Sequence, residues 1–140
     1  MIGGLFDPAD WRVRAFPVKH DVPCVGYLIA TGSERVLYLT DALYSPFRFA
    51  NLTMILLGVN YSKDRLSPNI HPTHRKHIIQ DHLSLETAKG LLAANDLSQV
   101  REIHLLHLSR GNSDADMFKR EIEKLTGKPV FIAQEAAGRR

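Results

Sequence analysis

The sequence predicts an α/β domain in which one mixed β-sheet carries helices on one of its faces. Apolar runs of strand length dominate the first 40 residues, and from about residue 54 such runs alternate with segments whose apolar residues recur at helical spacing. With 140 residues, 44% of them hydrophobic, the chain can bury one core. We therefore assign residues 1–133 to a single domain and residues 134–140 to a flexible tail.

The amino-terminal half is predicted to supply three strands. Residues 11–16, WRVRAF, alternate polar and apolar side chains, which indicates a half-buried strand that ends at Pro17. The runs 22–30 and 35–40 are joined by the four residues TGSE, in which Gly32 can adopt a positive φ. These two runs predict a β-hairpin.

The carboxyl-terminal half is predicted to alternate strands with helices. Residues 54–59 are a continuous apolar run, typical of a strand buried on both faces, and residues 102–106, EIHLL, predict another such strand. A loop is expected between the strand at 54–59 and the first helix, and Ser84 and Ser113 are suitable N-caps for the second and third helices. The predicted elements are a loop over 61–71, helices over 72–80, 85–95 and from Ser113 to Gly127 with Met117, Ile122 and Leu125 on its apolar side, and a last strand over 129–133.

Charge and cysteine content restrict the class of protein. The formal net charge of +3 suits an anionic substrate such as a phosphodiester but is low for a dedicated nucleic-acid binder. The single cysteine, Cys24, excludes an internal disulfide and favours a reducing compartment; its strand context suggests a small buried residue. No signal peptide and no bilayer-length apolar run is found, so we expect a cytoplasmic protein without a membrane partner.

Three potential metal ligands stand at or next to the ends of apolar runs. They are His20, Asp41 and His107. Polar chemistry collects where buried strands stop, and imidazole and carboxylate groups are ligands for zinc, manganese and iron. The three residues could therefore contribute to one metal site.

The neighbours of these residues resemble a known family. His20 precedes Gly26 and Tyr27, and Asp41 follows Thr40, after which come the strings His82-Leu83-Ser84 and His107-Leu108-Ser109. In this order the motifs are similar to the C-terminal half of a metallo-β-lactamase superfamily hydrolase, in the phosphodiesterase and nuclease branch that includes tRNase Z and the YycJ-like proteins. The resemblance covers about residues 12–133 and implies half of an αββα sandwich.

The resemblance also implies roles for individual residues. His20 would bind one divalent metal ion, zinc or manganese, His107 the other, and Asp41 would bridge them. His82 would lie beside the metals and protonate the leaving alkoxide. The alternative for His82 is a purely structural role in capping the helix that begins after Ser84.

Two departures from the family pattern predict an incomplete site. The family signature H-x-H-x-D-H does not occur in this sequence, and Gly58 stands where the related proteins have a Glu that orients the histidine matched by His82. We therefore expect an isolated chain to bind at most one metal ion, weakly, and to be active only when a second copy or a partner carrying the N-terminal half completes the site. An inactive remnant that binds or regulates a partner, and a fragment of a longer hydrolase, are the alternatives. The substrate is left open between nucleic acid and a cyclic or other small phosphodiester.

Several other polar and aromatic residues allow two interpretations. His71, His74 and His77 indicate a solvated basic helix face, with phosphate contact as the alternative. His104 should point away from His107 and be structural. Two further sets of residues allow both a structural role and a contact with substrate. They are the aromatic residues Tyr44, Phe47 and Phe49 and the loop residues Ser109, Arg110 and Asn112.

Overall fold

The computed structural model describes residues 10–20, 22–40, 42 and 48–133. Its six strands form one sheet in the order β1-β2-β3-β4-β5-β6, which is also their order along the chain. The strands are β1 (Trp11–Val18), β2 (Cys24–Thr31), β3 (Glu34–Leu39), β4 (Met54–Gly58), β5 (Glu102–Leu106) and β6 (Val130–Ile132).

Three helices follow β4 and β5. A short 3-10 helix (Lys63–Arg65) precedes α1 (Pro72–Asp81) and α2 (Leu85–Ala94), and α3 (Ala115–Thr126) lies between β5 and β6. Pro72 opens α1 at a position where its missing N–H is not needed, and Ser84 Oγ caps α2 by accepting from Thr87 N. Within the described ranges, no helix is long and apolar enough to traverse a membrane.

The sheet is mixed, as predicted. The β1–β2 and β2–β3 pairs are antiparallel, and the three remaining pairs are parallel. The predicted hairpin is confirmed, with Gly32 at φ 53° in its turn. The strands are added in one direction, so right-handed crossovers place α1, α2 and α3 on the same face of the sheet.

The helix-covered face holds the core. Its side chains alternate with those of the other face along each strand, and the most deeply buried of them are no more than 1% exposed. From the helices, Ala88, Leu92, Phe118 and Ile122 pack against them. The strand residues of this set are Leu37, Leu39, Ile55, Leu57, Ile103 and Leu105.

The opposite face, here called the open face, carries no helix. Met54 and Leu56 in β4 are half-buried while Ile55 and Leu57 are buried. The prediction that β4 and β5 are buried on both faces is therefore wrong, because only one layer of helices covers this sheet. One cross-strand row of the open face runs through all six strands as Ala15, Tyr27, Tyr38, Leu56, His104 and Phe131.

Two further local predictions are corrected. Asp114, not Ser113, caps α3 by accepting from Met117 N, while Ser113 Oγ donates to Ser109 O instead. Leu125 is 41% exposed, whereas Phe118 is buried in the core, where helical periodicity had predicted Leu125.

The predicted end of the first strand at Pro17 is also corrected. Strand β1 continues through Pro17 because it is an edge strand, where a missing donor is tolerated. The predicted tail over 134–140 lies outside the described residues.

Candidate functional site

The predicted site residues follow strands that point in one direction. Strand β2 is antiparallel to both of its neighbours, so β1 runs the same way as β3, β4, β5 and β6. Their carboxyl ends therefore meet at one edge of the sheet. His20 lies two residues beyond β1, Thr40 directly follows β3, and His107 directly follows β5.

His82 is brought to this edge by the segment between α1 and α2. This segment runs beside the continuation of β4, where Asn60 N donates to Leu83 O at 3.0 Å and Leu85 N donates to Tyr61 O at 2.8 Å. Tyr61 and Ser84 form a parallel β-bridge. The peptide N–H of His82 ends α1 by donating to Ile78 O, while Ser84 supplies the side-chain cap of α2.

The rings of His82 and His107 lie side by side. Their centroids are 5.4 Å apart with an angle of 42° between the ring planes. His82 is half-buried and His107 is exposed. His107 has φ 61°, a left-handed conformation that is uncommon for a residue other than glycine and that recurs at functional sites.

Asn60 connects the two histidine segments. Its peptide N–H bonds to the His82 segment, its side-chain Nδ2 donates to His107 O at 3.0 Å, and its carbonyl accepts from Ser109 N at 2.8 Å. The strained turn at His107 is thus held by both the backbone and the side chain of one residue. Sequence reasoning gave Asn60 no role, because its side-chain bond joins residues 47 positions apart.

Tyr61, which bridges to Ser84, is buried and neutral. Tyr61 is 2% exposed, and its burial raises the pKa of the phenol above 10.0, with the negative charge of Glu86 acting in the same direction. The phenol therefore stays protonated at neutral pH. It provides a rigid apolar support rather than a charge.

Gly58 lies against Thr40. A Cβ atom added at Gly58 would stand 3.0 Å from the Cα of Thr40 and 3.2 Å from its Cβ. Any larger residue at Gly58 would therefore require Thr40 to shift by a few tenths of an ångström.

The structure brings together two of the predicted site residues, the predicted proton donor and one predicted metal ligand. His82 and His107 are adjacent, and Nδ1 of His20 accepts a 3.3 Å hydrogen bond from Val22 N. Asp41 lies outside the described residues, so its role as bridging ligand stays a prediction. Among residues 10–20, 22–40, 42 and 48–133, no group of three or more potential ligands is close enough to hold a metal ion.

The other candidate residues are engaged structurally. Asn112 is 8% exposed, and its Oδ1 accepts from Ser67 N while its carbonyl accepts from Ser62 N, so it joins loops rather than facing a substrate. His104 bonds to Glu102 at 3.0 Å and stacks on Phe131, as its predicted structural role requires.

The histidines of α1 are not arranged as ligands. Nδ1 of His71 accepts from Thr73 N as the N-cap, and His77 lies 3.3 Å from Asp81 at the other end of the helix. This distribution agrees with the predicted solvated face. Of the aromatic set, Tyr44 and Phe47 lie outside the described residues, and Phe49 packs on Phe16 with 4.9 Å between ring centroids.

Sequence comparisons identify no relative, whereas the fold has clear counterparts. No known family model and no curated protein matches the sequence. Among solved structures, 92% of the chain superposes on the metallo-β-lactamase fold protein YhfI from Bacillus subtilis with a TM-score of 0.61 and 17% identity. A protein from Parabacteroides distasonis assigned as a metal-dependent hydrolase gives 0.57 and 14% over 92% of the chain, and the short form of human tRNase Z gives 0.55 and 15% over 94%.

The matches extend over only part of each solved structure. The chain spans 48% of YhfI, 53% of the Parabacteroides protein and 43% of tRNase Z. It has the fold of about half of a metallo-β-lactamase fold protein, consistent with the C-terminal half.

Proposed function

We propose that this chain forms one half of a metal-dependent phosphodiesterase whose site lies at the carboxyl edge of the sheet. In this proposal His20 and His107 are terminal ligands of two zinc or manganese ions, Asp41 bridges the ions, and His82 is the proton donor. The observation that carries the proposal is the contact of the His82 and His107 rings at this edge, in a fold shared with metal-dependent hydrolases.

The donor set fits a metal in kind but not in number. Imidazole and carboxylate groups are ordinary zinc and manganese ligands, but a stable zinc site takes three or four of them. The described residues of one chain bring together fewer than three. We propose that the remaining ligands come from another polypeptide, so an isolated chain should hold at most one ion, weakly.

His82 has the position that a general acid requires. When bound, divalent ions neutralise phosphoryl oxygens and supply a hydroxide near neutral pH. The half-buried His82 ring stands between the start of α2 and the exposed His107. From there its imidazolium would give a proton to the departing alkoxide oxygen, and the nearby N-terminus of α2 would favour the anionic substrate.

We propose a second copy of the chain as the completing polypeptide. Two sheets that pack face to face lie about 10 Å apart with nearly aligned strands. A twofold axis parallel to the strands would join two open faces and keep both carboxyl edges at the same end. His20, Asp41 and His107 of the second copy would then approach those of the first.

The activity test compares His82→Ala with wild type. Hydrolysis of bis(4-nitrophenyl) phosphate, of a cyclic nucleotide and of a short RNA is measured with manganese or zinc present. A positioned general acid contributes about a hundredfold to ten-thousandfold, so His82→Ala should lose that much, and the exposed α1 variant His74→Ala should lose nothing. If the wild type turns over and His82→Ala stays within about twofold of it, His82 is not the acid.

The assembly test uses sedimentation velocity over a tenfold concentration range. Val13→Glu introduces a charge on the open face, where Val13 is 60% exposed, and should convert the dimer into monomers. Leu125→Glu, at a 41% exposed position of α3, is the matched control and should leave the dimer intact. A well-folded wild-type monomer throughout would contradict the dimer, and a stable complex with a different chain would replace it.

Metal content should follow assembly. Dialysis against a mild chelator followed by elemental analysis should leave at most one metal ion per Val13→Glu monomer and more in the wild-type dimer. Two tightly held ions per monomer would contradict the need for a second chain.

The second candidate function is an inactive binding or regulatory module. It is favoured by Gly58, which supplies no carboxylate to orient His82. Such a module would use the same open face for its partner and show no turnover with any of the three substrates. The lone Cys24 suits a reducing compartment, and we place either version in the cytoplasm.

A further inference from the structure

A cavity lies beside the hairpin strands, on the side of the sheet that carries the helices. Its volume is about 530 Å³, within the range of small-ligand sites. Residues of β1, β2 and β3 and the segment 48–50 line it. Among the described residues, Arg14, Phe16, Arg35, Arg48 and Phe49 belong to this lining.

Three guanidinium groups line this cavity. Arg14, Arg35 and Arg48 form no ion pair with any residue in the described part of the chain, whereas Arg65 and Arg101 pair with Asp114 and Glu34. The described residues of the lining include no Asp or Glu. Three unneutralised cations in one cavity repel one another, and an anion bound there would relieve that repulsion.

Arg35 adds a buried unsatisfied donor. Its Nε atom is inaccessible to solvent and has no hydrogen-bond partner. A buried polar group in this state costs stability, so it usually has an explanation such as a missing ligand. Arg35 points to the same side as Leu37 and Leu39, toward the cavity rather than the open face.

The other wall of the cavity is aromatic and preformed. Phe49 N donates to Asn95 Oδ1 at 2.6 Å, which ties the wall to the end of α2. Phe16 contacts Phe49, and its ring occupies the space above Gly26, where a Cβ atom would come within 2.5 Å of it. Arginine and aromatic side chains together form the surfaces that hold the phosphates and bases of single-stranded nucleic acid.

We propose that this cavity binds a nucleoside phosphate, with the phosphate on Arg14, Arg35 and Arg48 and the base against Phe49. The ligand is either a free nucleotide or one unit of a single-stranded nucleic acid. The site shares no described residue with the set His20, His82 and His107, and it binds without any metal ion. Its occupation therefore does not depend on the proposed hydrolase.

The test measures binding of a fluorescent octathymidylate and of AMP to the full chain without metal. We expect a dissociation constant for octathymidylate of about 1–100 µM at low salt, and a log–log salt slope near −2 from about 0.7 per phosphate contact. Arg14→Ala/Arg48→Ala should weaken binding at least tenfold and reduce the slope by more than half. Both residues are exposed, so the fold should tolerate the change.

Two comparisons make the result decisive. Arg120→Ala/Lys124→Ala, at two exposed cationic residues of α3 that are not in the described lining, removes the same two charges and should weaken binding less than twofold. If it weakens binding as much as Arg14→Ala/Arg48→Ala, or if neither probe binds below about 1 mM, the proposal is overturned. Octathymidylate binding tenfold tighter than AMP identifies a strand as the ligand, and equal affinities identify a free nucleotide.

The role of Phe49 is tested separately. Phe49→Leu keeps an apolar wall but removes the ring, so AMP binding should weaken about fivefold or more, while binding of ribose 5-phosphate should not change. Equal affinities of the wild type for AMP and ribose 5-phosphate would overturn the base-binding part. AMP should also raise the melting temperature of the wild type and not that of Arg14→Ala/Arg48→Ala.

Discussion

The two faces of the sheet are both apolar, but only one of them is buried. Leu39, Leu57 and Leu105 on the helix-covered face are fully inaccessible, whereas Val13 and Phe131 on the open face are 60% and 47% exposed. A sheet that met water on one side would normally carry polar residues there. The apolar composition of the open face is therefore typical of an interface, and we propose that another protein surface covers it.

Alanine substitutions in β4 should show the largest difference between the faces. Leu57→Ala should lower the free energy of unfolding by about 2–5 kcal/mol, since it leaves a cavity in the closed core. Leu56→Ala, next to it on the open face, should cost under about 1 kcal/mol in the monomeric Val13→Glu background. Urea denaturation of both variants in that background measures the difference.

The same two variants also test whether the open face is buried in a dimer. In the wild-type background, Leu56→Ala should cost more as protein concentration rises if the open face is buried in a dimer. Equal and concentration-independent losses for the two variants in both backgrounds would show that the faces are not energetically distinct.

Glycine substitutions should give the next largest effect. Gly26 faces the helix-covered side, and a Cβ atom there would collide with the ring of Phe16 at 2.5 Å. Overpacking of this kind costs about 1–3 kcal/mol, so Gly26→Ala should lower the melting temperature by several degrees. Gly90→Ala, on α2 with no atom near the new Cβ, is the control and should be neutral or stabilising. A drop for Gly90→Ala as large as that for Gly26→Ala would contradict the steric argument.

Asn60 lies two residues beyond the carboxyl end of β4. Its substitution should lower the stability less than Gly26→Ala does. Asn60→Ala removes the 3.0 Å bond to His107 O and should cost about 1 kcal/mol. It should also weaken the nuclear Overhauser effect between the His82 and His107 rings, because the left-handed turn loses its support. Asn69→Ala, an exposed asparagine, should change neither quantity. An unchanged ring contact in Asn60→Ala would mean that the backbone bonds alone hold the pair.

The ion pair of Glu34 should give the smallest and most pH-dependent effect. Glu34 shares the open side of β3 with Tyr38, and hydrogen bonds from Arg101 and then Thr53 hold the pKa of its carboxyl below 4.5. Its stabilising contribution is therefore present above pH 4.5 and is lost as the pH falls through the lowered pKa of the folded state. Wild type should exceed Glu34→Gln in urea midpoint at pH 7, and the difference should shrink toward pH 3. A constant difference would exclude this titration.

Most of the fold could be predicted from local patterns. The hairpin around Gly32, the cap at Ser84 and the helix end at Gly127 follow from short-range chemistry and were all found in the structure. The burial of β4 was predicted wrongly, because MILLGV is equally apolar whether one face or two are covered. Both Ser113 and Asp114 can accept a capping hydrogen bond. Asp114 is the N-cap in the structure, because the hydroxyl of Ser113 donates to Ser109 O instead.

Less of the site could be predicted. The order of the motifs predicted that His82 and His107 belong to one site. It could not predict how their rings are held together, because the hydrogen bond from Asn60 to His107 O joins residues 47 positions apart. The cavity arginines were missed although WRVRAF places Arg14 and Phe16 on one side of a strand. The alternation was interpreted only as a half-buried strand, since Arg35 and Arg48 come from segments that only the folded chain brings close to Arg14.

The sheet order has a consequence for how this chain folds during synthesis. Every strand pairs with the strand made just before it, so a ribosome releases each new strand next to an edge that already exists. The ladder can therefore grow from β1 to β6 without waiting for distant sequence, which limits the time that strand edges stay unpaired. Only the finished open face would remain to be protected, and a second nascent chain on the same messenger RNA would be the nearest source of that protection.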